Sequence, residues 1–316
     1  MANYTTAADI IDDALFRAHE PTDGTSDLDA AALSYLNRAY RSMCLGGAEL
    51  VPGMNEDWWW LRSESTMILE PGLATGTVNV SHNSNAVVFS GILTMSSYIG
   101  WFFKVDDHPD VFKVAAGSSS DDGTLDSVYT GDTDTTASYK LFRLEYDLAT
   151  DARKLVSPMR SSQAPNYMIY QTTLDRMNQD TPLGQLSADM PSHFAPVDEN
   201  TVRFNNYIGT TSGSRVRLDY SYVRLATDLT NATDSIPLVP VSHRQILADW
   251  TTYFLMLDKD EVGADAIAGQ ARAGMIAMQK ENRSRWVQTG RHGQIWPRPA
   301  SRRRGLVKTD SGVIIG

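Results

Sequence analysis

The chain has 316 residues, with 28 Lys and Arg against 38 Asp and Glu, a net charge of −10. Its 42% hydrophobic and 21% charged content excludes a wholly disordered, collagen-like or coiled-coil protein, and its length suits two domains or one with a large insertion. The charge divides unevenly: residues 280–316 hold nine basic and two acidic residues (+7), whereas residues 1–279 hold 19 basic against 36 acidic (−17). An acidic body with a basic tail argues against a whole-surface nucleic-acid binder and for a tail that seeks an acidic partner.

The first sixty residues read as a helical hairpin. Ile11, Ala14, Leu15 and Ala18 recur at helical spacing, with Asp9, Asp12 and Asp13 near the positive end of the helix dipole. Pro21, Asp23 and Gly24 are expected to end this helix, and Ser26 or Asp27 to cap a second one with the stripe Leu33, Leu36, Tyr40 and Met43, stopped by Gly46 and Gly47. The only cysteine, Cys44, excludes an intrachain disulfide and a Cys-based zinc site, and points to a reducing compartment. Met1–Thr6 shows no signal peptide. Trp58, Trp59 and Trp60 follow; three successive rings cannot share one face of a helix or strand, so at least one is expected to anchor a junction between elements.

From Thr66 to Tyr222 the period shortens. Thr77–Val80, Val87–Phe89, Trp101–Val105 and Val111–Ala115 are short β-rich runs, and Tyr139, Leu141 and Arg143 follow a polar loop at Gly131–Thr136. A turn is expected at Asp121–Gly123, and residues 76–143 form a compact β-module of sandwich or barrel type. The stretch Val87–Phe103 is apolar, but its 17 residues are interrupted by Ser and Gly and fall short of the roughly 20 of a spanning helix, so buried β-structure is the reading. Between Tyr146 and Asn200 the chain is polar and punctuated by Pro158, Pro165, Pro182, Pro191 and Pro196, and little structure is expected. Val202, Phe204 and the alternation of Val216, Leu218, Tyr220 and Tyr222 restore the strand pattern.

After Pro237 and Pro240 the helical period returns in Ile246, Trp250, Tyr253, Phe254 and Leu257, and, beyond a break near Gly263, in Ile267, Ala271, Met275 and Met278. The expected fold is α+β. Helices at 1–62 and 226–284 pair into one bundle, a β-rich region at 63–225 contains the inserted module, and an extended basic tail spans 285–316.

No phosphate loop, dinucleotide fingerprint, nucleophile elbow or metal-spaced His pair occurs. The histidines at 19, 82, 108, 193, 243 and 292 are scattered, and read as loop or cap residues. Eight aspartates lie between Asp106 and Asp134 with a single Lys113; without alternate-position ligands and a bidentate Glu they read as a solvated acidic face, not a cation loop. No catalytic, cofactor or metal residue is assigned. The candidate partner-binding residues are Arg283, Arg285, Trp286, Arg291, Trp296, Arg298, Arg302, Arg303 and Arg304, a mixture that suits either a nucleic-acid strand or a protein groove, with the groove favoured on an acidic body.

The succession of these signals resembles the head-to-tail adaptor (head completion, or gatekeeper) proteins of tailed bacteriophages. The resemblance spans residues 7 to 283. It is carried by Leu36–Tyr40 in the second helix, the Trp-rich Asp57–Leu61, and the module's Gly100–Phe103, Phe112–Val114, Thr124–Asp126 and Tyr129–Gly131. It continues in the return Leu144–Leu148, the strand Val216–Tyr222, the turn Ile236–Pro240 and the helix from His243 to Leu257. Such membership implies a structural virion protein of the neck, assembled in the host cytoplasm. It implies a ring of 12 copies between the portal protein and a tail, tail-terminator or nozzle protein, with DNA passing through an acidic channel and no membrane, cofactor or enzymatic step. The rival readings are another tail, baseplate or decoration protein, and a metal-dependent hydrolase using Asp106–Asp134.

Overall fold

Thr6 opens the first helix: its hydroxyl accepts from the Asp9 N–H (3.3 Å), while the Asp9 carboxylate accepts from the Thr6 N–H (2.8 Å), a reciprocal capping box that satisfies two terminal donors. The computed structural model describes residues 4–22, 28–92, 94–162, 167–209, 215–236, 238–293, 307–308 and 314–315. The described helices are α1 (Ala7–Arg17), α2 (Asp29–Cys44), α3 (Leu174–Asp180), α4 (Arg244–Asp258) and α5 (Ala264–Gly293). The chain divides into two units, one made of residues 1–61 with 226–316, the other of Arg62–Leu225.

In the first unit the apolar stripes do the assembling. Ile11, Ala14, Leu15 and Ala18 are buried; the helix stops at Arg17, before Pro21, and His19 turns the chain with a left-handed φ of 55°. Leu36, Ala39, Tyr40 and Met43 of α2 are buried, whereas Leu33 is half-buried. The α2 start has Leu28 in the cap position without a side-chain hydrogen bond, and the expected caps Ser26 and Asp27, with Asp23 and Gly24, lie outside the described residues. Helix α4 is buried on nearly every side and packs against α1, α2 and α5, which makes it the centre of a bundle drawn from both ends of the chain. Its last apolar residue, Leu257, departs from the expected stripe and is 53% exposed.

Helix α5 lays Ala268, Ala271, Met275 and Met278 against the bundle. It does not end where the sequence periodicity does. The backbone stays helical through Arg285 to Gly293, so the expected extended tail from 285 begins as about two further helical turns. Arg285 extends the helix by pairing with Glu281 one turn earlier (2.7 Å), a local interaction that needs no apolar stripe. Beyond it, Val307–Lys308 and Ile314–Ile315 pair antiparallel.

The second unit holds two seven-stranded sheets. Strands β1 (Arg62–Leu69), β2 (Val78–Val80), β3 (Ala86–Phe89), β4 (Phe102–Val105), β5 (Phe112–Gly117), β6 (Asp122–Leu125), β7 (Asp134–Ala137) and β8 (Tyr139–Phe142) come first in the chain. One sheet has the order β7-β2-β3-β6-β5-β4-β8. Its two outer strands are successive halves of one segment bent at Ser138: β7 pairs with β2 and β8 with β4, so a single stretch of chain all but closes the sheet into a small barrel. Phe89, Phe103 and Tyr139 meet edge-to-face or tilted inside it, with ring centres 5.0–6.2 Å apart. The polar residues Asp122 and Asp134, expected in turns, are drawn into strands by pairing with β3 and β2; β7 exposes every residue but Ala137, and β6 opens with the turn-forming pair Asp122 and Gly123, so neither shows a strand pattern in sequence.

The other sheet adds β9 (Glu145–Asp147), β10 (Ala152–Ser161), β11 (Met168–Gln171), β12 (His193–Pro196), β13 (Thr201–Phe204) and β14 (Val216–Arg224), in the order β1-β14-β10-β11-β12-β13-β9. The stretch after Tyr146, for which little structure was expected, therefore supplies β10, β11, α3 and β12. Pro158 concealed β10: it has no N–H to donate, and the register with β14 slips between Val156 and Arg160 around it. Parallel β11 and β12 are joined across α3, whose start is capped by Thr173. The tyrosine hydroxyls of Tyr146 and Tyr220 accept from the backbone N–H groups of Glu70 and Ala149, satisfying donors that lie outside the ladders.

Candidate functional site

The described cationic residues of the candidate tail and the three tryptophans meet at one place, the C-terminal part of α5. The segment after α2 turns through Gly46 and Gly47, both at positive φ, and a Cβ at Gly47 would stand 2.5 Å from the Met275 methyl of α5. That close approach carries Glu56 to Trp60 alongside α5. Trp58 is fully buried, its indole N–H donating to the Met43 carbonyl (2.6 Å), and it stacks on Trp60 with ring centres 5.7 Å apart. Trp59 points the other way, half-buried, under the Arg285 guanidinium at 4.2 Å from its ring centre.

A polar clamp holds this geometry. Asn282 falls on the buried row of α5, where it is 1% exposed; its Oδ1 accepts from the Trp59 N–H (3.0 Å) and its Nδ2 donates to Glu56 Oε2 (3.2 Å) and the Asp57 carbonyl (3.3 Å). Glu56 also receives Gln279 Nε2 (2.7 Å) and Arg283 Nη2 (2.8 Å). Burial opposes ionisation of Glu56, yet the bonds from Arg283, Gln279 and Asn282 outweigh it and hold the carboxyl below its ordinary 4.5. Glu281 joins Arg285 on one side and His243 Nε2 (3.2 Å) on the other. Burial pushes the His243 imidazole below 6.5 against the opposing pull of Glu281.

Arg283 and Arg285 are thus engaged within the chain. Trp286 and Arg291 lie on helical backbone but their side chains lie outside the described residues, as do Trp296, Arg298, Arg302, Arg303 and Arg304 altogether. Sequence reasoning missed Glu56, Gln279, Asn282, His243 and Glu281. The available signal was Asn282 itself, a polar residue continuing the row of Ala271, Met275 and Met278.

Two other polar features have structural occupations. On α2, Asn37 grips the Leu229 backbone through both its amide atoms (2.8 and 2.7 Å), and Arg38 and Arg41 line a groove of about 490 Å³ in which each is paired, with Glu49 and Asp228 respectively. In the acidic loops Asp106 pairs with Lys140 (2.8 Å), Asp110 accepts from Thr130 (2.6 Å), and Asp126 and Asp134 accept from the N–H groups of Lys113 and Thr136. Among the described residues no three His, Cys, Asp or Glu side chains converge where they could hold a cation. Nor is any described helix long and apolar enough to cross a membrane. No protein-family model and no curated protein matches the chain.

Proposed function

We propose that this protein is a head-to-tail adaptor of a tailed-phage virion, a structural part of the neck whose copies form a ring, of 12 by the resemblance, between a portal protein and a tail or nozzle protein. The observation that carries the reading is α5. This one helix leaves a bundle built from both chain ends, is clamped at Asn282 and Arg285, and runs on into the segment that holds the +7 charge. A clamped helical root aims a cationic strap, and a strap of this kind gives each subunit a second point of attachment to a neighbouring protein, so that avidity rises without enlarging the main contact. The −17 of residues 1–279 disfavours adhesion of a phosphate backbone, which suits a conduit through which DNA passes without being read.

The test is direct. Purified protein imaged by electron microscopy, alone and with the portal of the same virion, is expected to give twelve-fold rings. Replacing Arg302, Arg303 and Arg304 together by Ala is expected to leave folding intact and weaken portal attachment. A protein that forms no ring with the portal, or tight salt-sensitive DNA binding that disappears on deleting residues 285–316, overturns the reading.

A further inference from the structure

Two exposed faces of the helical unit are left unexplained by the chain's own packing. On α5, Arg272, Ile276 and Lys280 form one row at i, i+4 and i+8; Ile276 is 41% exposed. On α1, Asp12 and Phe16 form a row of the opposite sign, and Phe16 is 72% exposed. Among the described residues, Asp12, Arg272 and Lys280 have no oppositely charged partner. Asp12 stands near Asp9 and Asp29 instead, so its surroundings favour an incoming cation. The two helices both pack on α4, and neither packs extensively on the other.

The glycines of α5 separate internal needs from external ones. A Cβ at Gly274 would sit 2.9 Å from Ile246 Cγ1, so the packing of α5 on α4 requires that glycine. A Cβ at Gly269 would meet nothing within 4 Å. A glycine inside an exposed helix is costly to helix stability, and no described residue packs over it; a second helix approaching closely over Gly269 would use it.

We infer that the Arg272–Ile276–Lys280 face of α5 receives α1 of a second copy of this chain, with Phe16 seated beside Ile276 and Asp12 against the row's cations. Charge complementarity selects the occupant, since the acidic and basic faces belong to the same chain and, among the described residues, are not paired with each other within it. The contact is heterologous, a face meeting a different face, and repeats from copy to copy until a ring closes. The inference rests on the ring reading above and deepens it by naming the closing surfaces.

Native mass spectrometry and sedimentation of the full-length protein test it with Asp12→Lys, Arg272→Glu, the two combined, and Gly269→Leu, each checked for folding by thermal melting. Either single reversal is expected to weaken self-association at least tenfold and the combination to restore it. Gly269→Leu is expected to raise the melting temperature of the monomer while lowering assembly, opposite signs that general misfolding cannot produce. Oligomers unchanged by all four variants, or a wild-type chain that stays monomeric throughout, overturn the inference. Assembly that responds as expected but yields open chains or a different closed number leaves this contact standing and refutes the twelve-fold ring.

Discussion

Arg285 lies over Trp59 at 4.2 Å from the ring centre while its guanidinium donates twice to Glu281, one turn back on α5. The first cation of the 285–316 tail is therefore held at the helical root, between an indole face and a carboxylate. At a site of this exposure a cation over an indole contributes about 0.5–1 kcal/mol. A double-mutant cycle of Trp59→Ala and Arg285→Ala, read by denaturant unfolding, is expected to return a coupling of about that size. A coupling of zero would mean that the ring and the guanidinium are neighbours without being partners.

Its sequence neighbour should behave differently. Trp58 is fully enclosed, stacked on Trp60, and bonded through its indole to the Met43 carbonyl. Trp58→Ala is expected to cost roughly 3–5 kcal/mol, the range for deleting a large buried ring. Trp58→Phe should cost far less, about 1 kcal/mol, because the Gly46 N–H still serves the same carbonyl after the indole is gone. Equal melting temperatures for Trp58→Ala and Trp59→Ala would contradict this assignment.

That contrast also marks how far the sequence can be read. The helical stripes were legible because Leu36, Tyr40, Met275 and Met278 recur at a period only a helix satisfies, and the core strands because Val78, Phe89 and Leu141 alternate or cluster with β-formers. Which tryptophan turns inward was not, since it depends on Gly47 meeting Met275 across more than two hundred residues. Strand β10 was hidden by Pro158, which a bulge accommodates, and β7 by polar residues that earn their strand through pairing alone. The clamp around Asn282 was invisible because its members are ordinary polar residues in sequence, brought together only when α5 docks.

His243 gives the clamp a pH signature. Burial lowers its imidazole below the ordinary 6.5, and Arg285 adds to that, more than Glu281 restores. The unfolded chain therefore takes up a proton at a pH where the folded chain still resists it. The histidine's contribution is level above pH 7 and falls as pH drops through 6.5, with a slope of at most about 1.4 kcal/mol per unit. His243→Gln should remove that slope. The difference in unfolding free energy between the two proteins, measured from pH 8 to 5, checks it; parallel curves would show that the imidazole is not held neutral.

Within the β-rich unit the corresponding role falls to Glu145 on β9, whose side chain is 11% exposed and meets Lys113 of β5 and Arg203 of β13, each at 2.6 Å. It thereby links a strand of the small barrel to two strands of the other sheet. Burial raises the cost of its charge, but the bonds from Lys113 and Arg203 exceed that cost and set the carboxyl below its ordinary 4.5. A depressed carboxyl stabilises the fold above the unfolded value and loses that contribution as pH falls through the folded one. Glu145→Gln keeps the shape but leaves two cations beside an uncharged amide, and is expected to cost about 2–4 kcal/mol at pH 7, less than removing a fully buried partner because Lys113 remains partly wet. The cost should shrink as pH drops below 4.5, where the unfolded wild-type chain gains its proton first and the folded carboxylate follows at lower pH. Unfolding curves of both proteins at pH 7 and pH 3 decide the matter: a gap that stays constant between the two would show that Glu145 acts through its shape and not through its charge.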